Sequence, residues 1–186
     1  MVYNSTQVYG AEVLWENSLP PSASIQKEED MSISEVTLKK VEPMTIASIR
    51  EVVPGYADMG AHFGEIFAHL GKNKVAPAGP PFAMYWDEGY KEKDIDVESA
   101  FPVAGPIPSG DRVKVRELPG AEQVASLTLE GSYEGLSEAY SRLLGWIQAN
   151  GYRIVGPNRE IYIKGPGPDY EPSEYLTELQ FPVEKA

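Results

Sequence analysis

The chain has 186 residues, 42% of them hydrophobic and 24% charged, the make-up of an ordinary folded protein with enough apolar material for a sizeable core. A formal net charge of −12 argues against a nucleic-acid footprint, which needs clustered Lys and Arg, and leans toward neutral or cationic small ligands. The absence of cysteine excludes disulfides, thiolate metal sites and a cysteine nucleophile; with no apolar run of spanning length and no signal-peptide pattern, the expected location is the cytoplasm, off the membrane.

Residues 1–33 read as an N-terminal arm or tail ahead of a domain over 34–186. They contain Pro20-Pro21, several serines and the acidic run Glu28-Glu29-Asp30, with Leu14 and Trp15 able to dock on the body. Residues 36–41 and 45–53 then read as two strands, β-branched in both, joined around Glu42-Pro43. Asp58 is the expected N-cap of a helix whose stripe is Met59, Phe63, Ile66, Phe67 and Leu70, ended by Gly71. Strands at 82–86 and 95–103 follow, on either side of a charged turn that also belongs to the solvent.

Beyond the connector Gly105-Pro106-Ile107-Pro108-Ser109-Gly110 the pattern starts again. Strands at 113–118 and 121–130 flank Pro119-Gly120. Leu136, Tyr140, Leu143, Leu144 and Ile147 make the stripe of a second helix, closed by Asn150-Gly151, and strands at 156–164 and 176–183 complete the chain. The two halves match residue by residue. Tyr56 and Tyr133, Phe63 and Tyr140, Leu70 and Ile147, Gly79 and Gly156, and Tyr85 and Tyr162 are all 77 apart. Ala47-Ser48 matches Ala125-Ser126 at 78, and Glu98 and Phe101 match Glu178 and Phe181 at 80. Each half is therefore strand–strand–helix–strand–strand, repeat 1 over about 34–104 and repeat 2 over about 111–184. A unit of this size cannot bury its own apolar face, so the two copies are expected to share a sheet or core.

Alternation within strands selects the candidate site. Ile161, Ile163, Leu179 and Phe181 are expected beneath the helices, with Glu160, Tyr162, Glu178 and Gln180 opposite. In the first half Met84 and Trp86 are expected on one face, with Ala83, Tyr85, Glu98 and Ala100 on the other. Two tyrosines and two glutamates meeting at the joint would suit a flat cation, since ring faces attract positive charge and a carboxylate balances it. The competing reading is a solvated sheet face, where glutamate and tyrosine are both common. His62 and His69 flank the first helix stripe and read as helix-flank residues rather than metal or haem ligands. Trp146 reads as core, whereas Trp86, ending a strand beside the charged turn, is a candidate wall. No P-loop, dinucleotide-binding glycine pattern, nucleophile elbow or His-Glu-x-x-His motif occurs.

Three stretches carry a resemblance: Val-Glu-Pro-x-x-Ile-Ala from Val41, the strand Arg159-Glu160-Ile161-Tyr162-Ile163, and the closing Tyr175-Leu176-Thr177-Glu178-Leu179-Gln180-Phe181-Pro182-Val183. In this order, with the duplication, they resemble the GyrI-like small-molecule-binding domain, the effector-binding domain of MerR- and AraC-type multidrug regulators, over about 34–184. The resemblance implies an α+β fold of tandem SHS2 modules: a curved antiparallel sheet with two helices on one face and a ligand cleft on the other, at the pseudo-twofold axis. It places the family's pocket glutamate on Glu178 and its companion tyrosine on Tyr162. Glu98, Tyr85 and Tyr133 follow only through the repeat alignment. A regulator's DNA-binding domain is not evident here, which puts direct transcriptional control in doubt. Haem-binding SOUL proteins share the wider architecture, but no ligand residue supports haem.

The leading expectation is a stand-alone domain that binds hydrophobic, aromatic, often cationic small molecules. Glu178 is the charge partner, with Tyr162, Glu98, Tyr85, Trp86 and Tyr133 around it, and no metal or cofactor is expected. Two alternatives stand beside it. One is a hydrolase of strained or electrophilic small molecules, with Glu178 and Tyr162 in acid–base roles. The other is a gyrase-modulating or similar protein-interaction domain.

Overall fold

A computed structural model describes residues 31–186; the expected arm over 1–30 lies outside the described residues. The chain runs β1 (Ser32–Ile33), β2 (Thr37–Val41), β3 (Met44–Val53), α1 (Gly60–Lys72), β4 (Phe82–Tyr85), β5 (Ile95–Pro102), β6 (Lys114–Leu118), β7 (Ala121–Glu130), α2 (Leu136–Ala149), β8 (Tyr152–Ile154), β9 (Asn158–Lys164) and β10 (Leu176–Lys185). The fold is α+β. One curved, wholly antiparallel sheet carries two helices, in the order β1-β7-β10-β9-β4-β5-β3-β6, with β2 also on β7 and β8 on β10.

The two repeats exchange their first strands. β2 of repeat 1 pairs with β7 of repeat 2, and β6 of repeat 2 pairs with β3 of repeat 1. Since β2 runs into β3 through Glu42-Pro43, and β6 into β7 through Pro119-Gly120, the sheet's two ends meet at this corner. Val41 faces Ala121 and Met44 faces Leu118. A Cβ at Gly120 would sit 2.5 Å from the Val41 carbonyl oxygen, so the corner needs a residue without a side chain.

In the centre, β4 and β9 pair with Ala83 opposite Glu160, Phe82 opposite Ile161 and Met84 opposite Arg159. Applying the repeat spacing of 77 turns the Phe82–Ile161 pair into the Arg159–Met84 pair and maps Ala83–Glu160 onto itself. The pseudo-twofold axis therefore passes between Ala83 and Glu160.

Each helix covers its own half of one face. Ile66 and Leu70 of α1 pack on Ala47, Ile49, Phe101 and Val103, while Ala139, Leu143 and Ile147 of α2 pack on Ala125, Leu127, Leu179, Phe181 and Val183. Full burial of a large aliphatic side chain contributes about 1.5–3 kcal/mol, so these matched clusters hold the helices down. The face without helices has a smaller core of its own beneath the corner: Ile46, Phe82, Met84, Ala100 and Leu118, with Met44 and Ile161.

Local corrections are few. Asp58 lies inside a 3-10 turn, Tyr56–Met59, rather than capping α1, and α1 continues through Gly71 to Lys72 before Asn73 caps it. Phe67 is exposed and His62 takes its place on the buried side of α1, because the stripe's 3.6-residue period carries Phe67 around the edge. Trp86 lies just past the end of β4, and the short strands β1 and β8 had no periodic signal.

The larger correction concerns which strands' residues share a face. Leu179 is paired with Glu160 and Thr177 with Tyr162, so Glu160 and Tyr162 lie on the helix side with Leu179 and Phe181, and Ile161 lies on the other side with Glu178. Likewise Met84 pairs with Glu98 and Tyr85 with Val97, which separates Tyr85 from Glu98 and puts Glu98 and Ala100 with Met84. Alternation fixes parity within a strand. Between strands parity depends on register, and a slip of one residue exchanges every face.

Candidate functional site

On the helix side of the axis stands a buried carboxylate held only by phenols. Glu160, at the centre of β9, accepts a hydrogen bond from Tyr140 at 2.6 Å on one oxygen, and from Tyr162 at 2.8 Å and Tyr85 at 3.2 Å on the other. Tyr85 comes from β4, Tyr162 from β9 and Tyr140 from one turn inside α2, so both repeats and a helix supply the ring of donors. The Asn158 amide in turn donates to the Tyr140 oxygen at 2.8 Å. Among the described residues Glu160 forms no ion pair with Lys, Arg or His.

The electrostatics follow from that arrangement. Burial raises the Glu160 pKa above its ordinary value, and the three phenol hydrogen bonds pull against it by favouring the ionised form. The phenols of Tyr85, Tyr140 and Tyr162 are all pushed upward, first by burial and then by the neighbouring carboxylate, so they remain protonated donors. The site therefore holds a desolvated carboxyl group that, among the described residues, has no cationic partner.

Two strings of rings lead outward from it. Tyr85 meets Tyr56 edge-on at 5.9 Å between centroids, and Tyr56 stacks on the exposed Tyr90 at 6.0 Å. On the other side Tyr162 meets Tyr133 at 6.1 Å, and Tyr133 meets Tyr175 at 5.3 Å. The first two members of each string are repeat partners, Tyr85 with Tyr162 and Tyr56 with Tyr133. Phe63 of α1 closes against Tyr162 at 5.8 Å. Tyr133 shares the upward pKa shift, with burial first and Glu160 second.

Of the residues singled out in the sequence, Tyr85, Tyr162 and Tyr133 meet here. Glu98, Glu178 and Trp86 do not. Glu98 is buried on the helix-free face, where Ser48 donates to it at 2.7 Å and Arg116 clasps both oxygens at 2.8 Å. Glu178 repeats that arrangement with Ser126 and Lys39. Ser48 and Ser126 are repeat partners at 78, Glu98 and Glu178 at 80, and Lys39 and Arg116 at 77, so one serine–glutamate–cation trio has been copied. Trp86 is half-exposed beside an open groove of about 510 Å³, with the Arg50 guanidinium 4.0 Å over its ring and Arg50 also bonded twice to Asp96.

Alternation along β9 puts Glu160 on the face of Tyr162, but neither Glu160 nor Tyr140 stands out in the sequence as a site residue. The signal was a glutamate two residues from a strand tyrosine; what the sequence lacked was the register that turns the pair inward. A second polar chain, Ser99–His62–Glu51, links at 3.3 and 3.2 Å, but Ser99 is wholly buried beneath α1 and the chain serves to seat that helix. Among the described residues no group of three or more His, Asp or Glu is placed to hold a metal ion, and no helix is long and apolar enough to cross a membrane.

The model of the GyrI-like small molecule binding domain matches residues 34–184. EcmrR in a DNA complex is 26% identical and superposes with a TM-score of 0.76, covering 89% of this chain and 63% of that one. This chain thus spans less than two thirds of that relative's length. The C-terminal domain of EcmrR is 27% identical at a TM-score of 0.71, covering 82% of this chain and 98% of that domain. A hydrolase from Listeria innocua is 13% identical at 0.61, covering 81% and 92%, and shares the fold. No curated protein matches the chain.

Proposed function

The chain belongs to the GyrI-like small-molecule-binding family, and from that premise we propose that it binds hydrophobic aromatic cations against Glu160, with Tyr85, Tyr140 and Tyr162 as first contacts and Tyr56 and Tyr133 as walls. One observation carries the reading. Glu160 is 6% exposed and has three hydroxyl donors but no cationic partner among the described residues. Removing a carboxylate from water is costly, and a ligand cation that enters among ring faces recovers Coulomb energy that no side chain supplies. Glu178, the charge partner expected from the resemblance, supports this role less well, because Lys39 already balances it.

A titration with tetraphenylphosphonium and its neutral relative triphenylphosphine oxide tests the electrostatic part. Truncating one partner of a buried charged contact costs about 2–5 kcal/mol, so Glu160→Gln should weaken the phosphonium roughly 30-fold or more and the oxide far less. Equal losses for both ligands would remove the carboxylate from the recognition.

A further inference from the structure

Directly behind Glu160, the neighbouring residue of β9 presents the opposite problem. Arg159 points to the helix-free face, is 6% exposed, and its Nε–H has no hydrogen-bond partner. Among the described residues its guanidinium forms neither an ion pair nor a side-chain hydrogen bond, while Arg50, Arg112, Arg116, Arg142 and Arg153 each have a carboxylate. Buried, unpaired charge is expensive, and arginine keeps its proton rather than neutralising. Gln180, its cross-strand neighbour on β10, is equally buried, and its amide too makes no side-chain hydrogen bond among the described residues. Arg116, on β6, is already engaged by Glu98 on the same face.

We propose that the helix-free face binds a small oxyanion, a phosphate, sulfate or carboxylate group, on the guanidinium of Arg159 and the amide of Gln180. The guanidinium fork matches two oxygens of such a group, and a negative charge there balances a buried guanidinium that has no partner among the described residues. Glu98 and Glu178 do not fill the role, since each is engaged by its own cation and serine. The site is independent of the proposed cation site: the two lie back to back on adjacent residues of one strand, pointing to opposite faces.

The test follows the arginine Nε–H signals of the ¹⁵N-labelled chain at constant ionic strength in chloride, as inorganic phosphate, sulfate or acetate is added. The expected result is a saturable shift of the Arg159 signal, with at least tenfold weaker phosphate binding in Arg159→Gln and at least threefold weaker in Gln180→Leu, which keeps the arginine if the first variant does not fold. A response to phosphate and sulfate but not acetate assigns the site to a tetrahedral anion; an equal response to acetate assigns it to a carboxylate ligand. Glu160→Gln should leave the titration unchanged, so failure here and failure of the cation reading are separable. If no anion moves the Arg159 signal, or binding survives unchanged in Gln180→Leu and Arg159→Gln, the proposal is overturned.

Discussion

The two faces of the central sheet hold glutamates of the same chemical kind in opposite circumstances. On the helix-free face Glu98 and Glu178 each have a serine and a cation, and the trio occurs once per repeat. On the helix face Glu160 has three tyrosines and, among the described residues, no cation, and its repeat partner is Ala83. The copied carboxylates are neutralised within the fold. The uncopied one sits on the axis, where a single side chain is shared by both halves, and among the described residues it has no cationic partner. A glutamate's partner, more than its burial, separates the structural ion pairs from the candidate site.

Substitutions that interchange these circumstances test the contrast. The largest effect is expected from Glu160→Gln on phosphonium affinity, roughly 30-fold or more, against a loss below about threefold for Glu178→Gln, whose charge is already matched. A calorimetric titration giving the two variants equal losses would erase the distinction between the faces. Next, Glu98→Ala should lower stability by about 2 kcal/mol in urea unfolding, because a buried carboxylate with a serine and a bidentate arginine is lost. Phosphonium binding should be unchanged in that variant.

Tyr140→Phe makes α2 resemble α1, which carries Phe63 at the matching position, so the ring should fit. It removes the 2.6 Å hydrogen bond to Glu160, and a charge-assisted bond of this kind contributes about 1.5 kcal/mol or more. The Glu160 pKa, already raised by burial, should rise further, which nuclear magnetic resonance of the labelled carboxyl can follow.

The pH dependence has a defined sign. Because the folded-state pKa of Glu160 lies above its ordinary 4.5, the native chain retains a proton that the unfolded chain has lost. This group's contribution to stability is therefore best below pH 4.5 and declines as pH rises from there through the folded pKa. Cation affinity should run the other way, rising by up to about tenfold per pH unit across the same window as the carboxylate ionises. Both trends should vanish in Glu160→Gln; thermal melts and titrations across that window would show it. The smallest effect belongs to Lys39→Met, under about 1 kcal/mol in urea unfolding, since Lys39 is well exposed and its ion pair with Glu178 is screened. A loss as large as that of Glu98→Ala would mean the two copied trios are not graded by exposure.

Much of this molecule was legible in advance. Apolar periodicity located both helices and eight of the strands, and near-constant spacing, 77 between Tyr56 and Tyr133 and between Tyr85 and Tyr162 and 80 between Glu98 and Glu178, revealed the duplication. It also nominated Tyr85, Tyr133 and Tyr162, three of the rings around Glu160. The strands β1 and β8 were too short for a periodic signal, and Tyr140 looked like any other member of a helix stripe.

By itself the sequence determined the elements, their order, the twofold copy and the alternation within each strand, because these depend on spacing along one chain. Only the tertiary structure decided that Leu179 lies across from Glu160 rather than from Ile161, a choice made by hydrogen-bond register between strands distant in sequence. That choice turned Glu160 inward among the tyrosines and left Arg159 facing the other side. Charge balance is likewise a property of neighbours in space: no spacing in the chain could show that Lys39 neutralises Glu178 while Glu160 is left to the phenols.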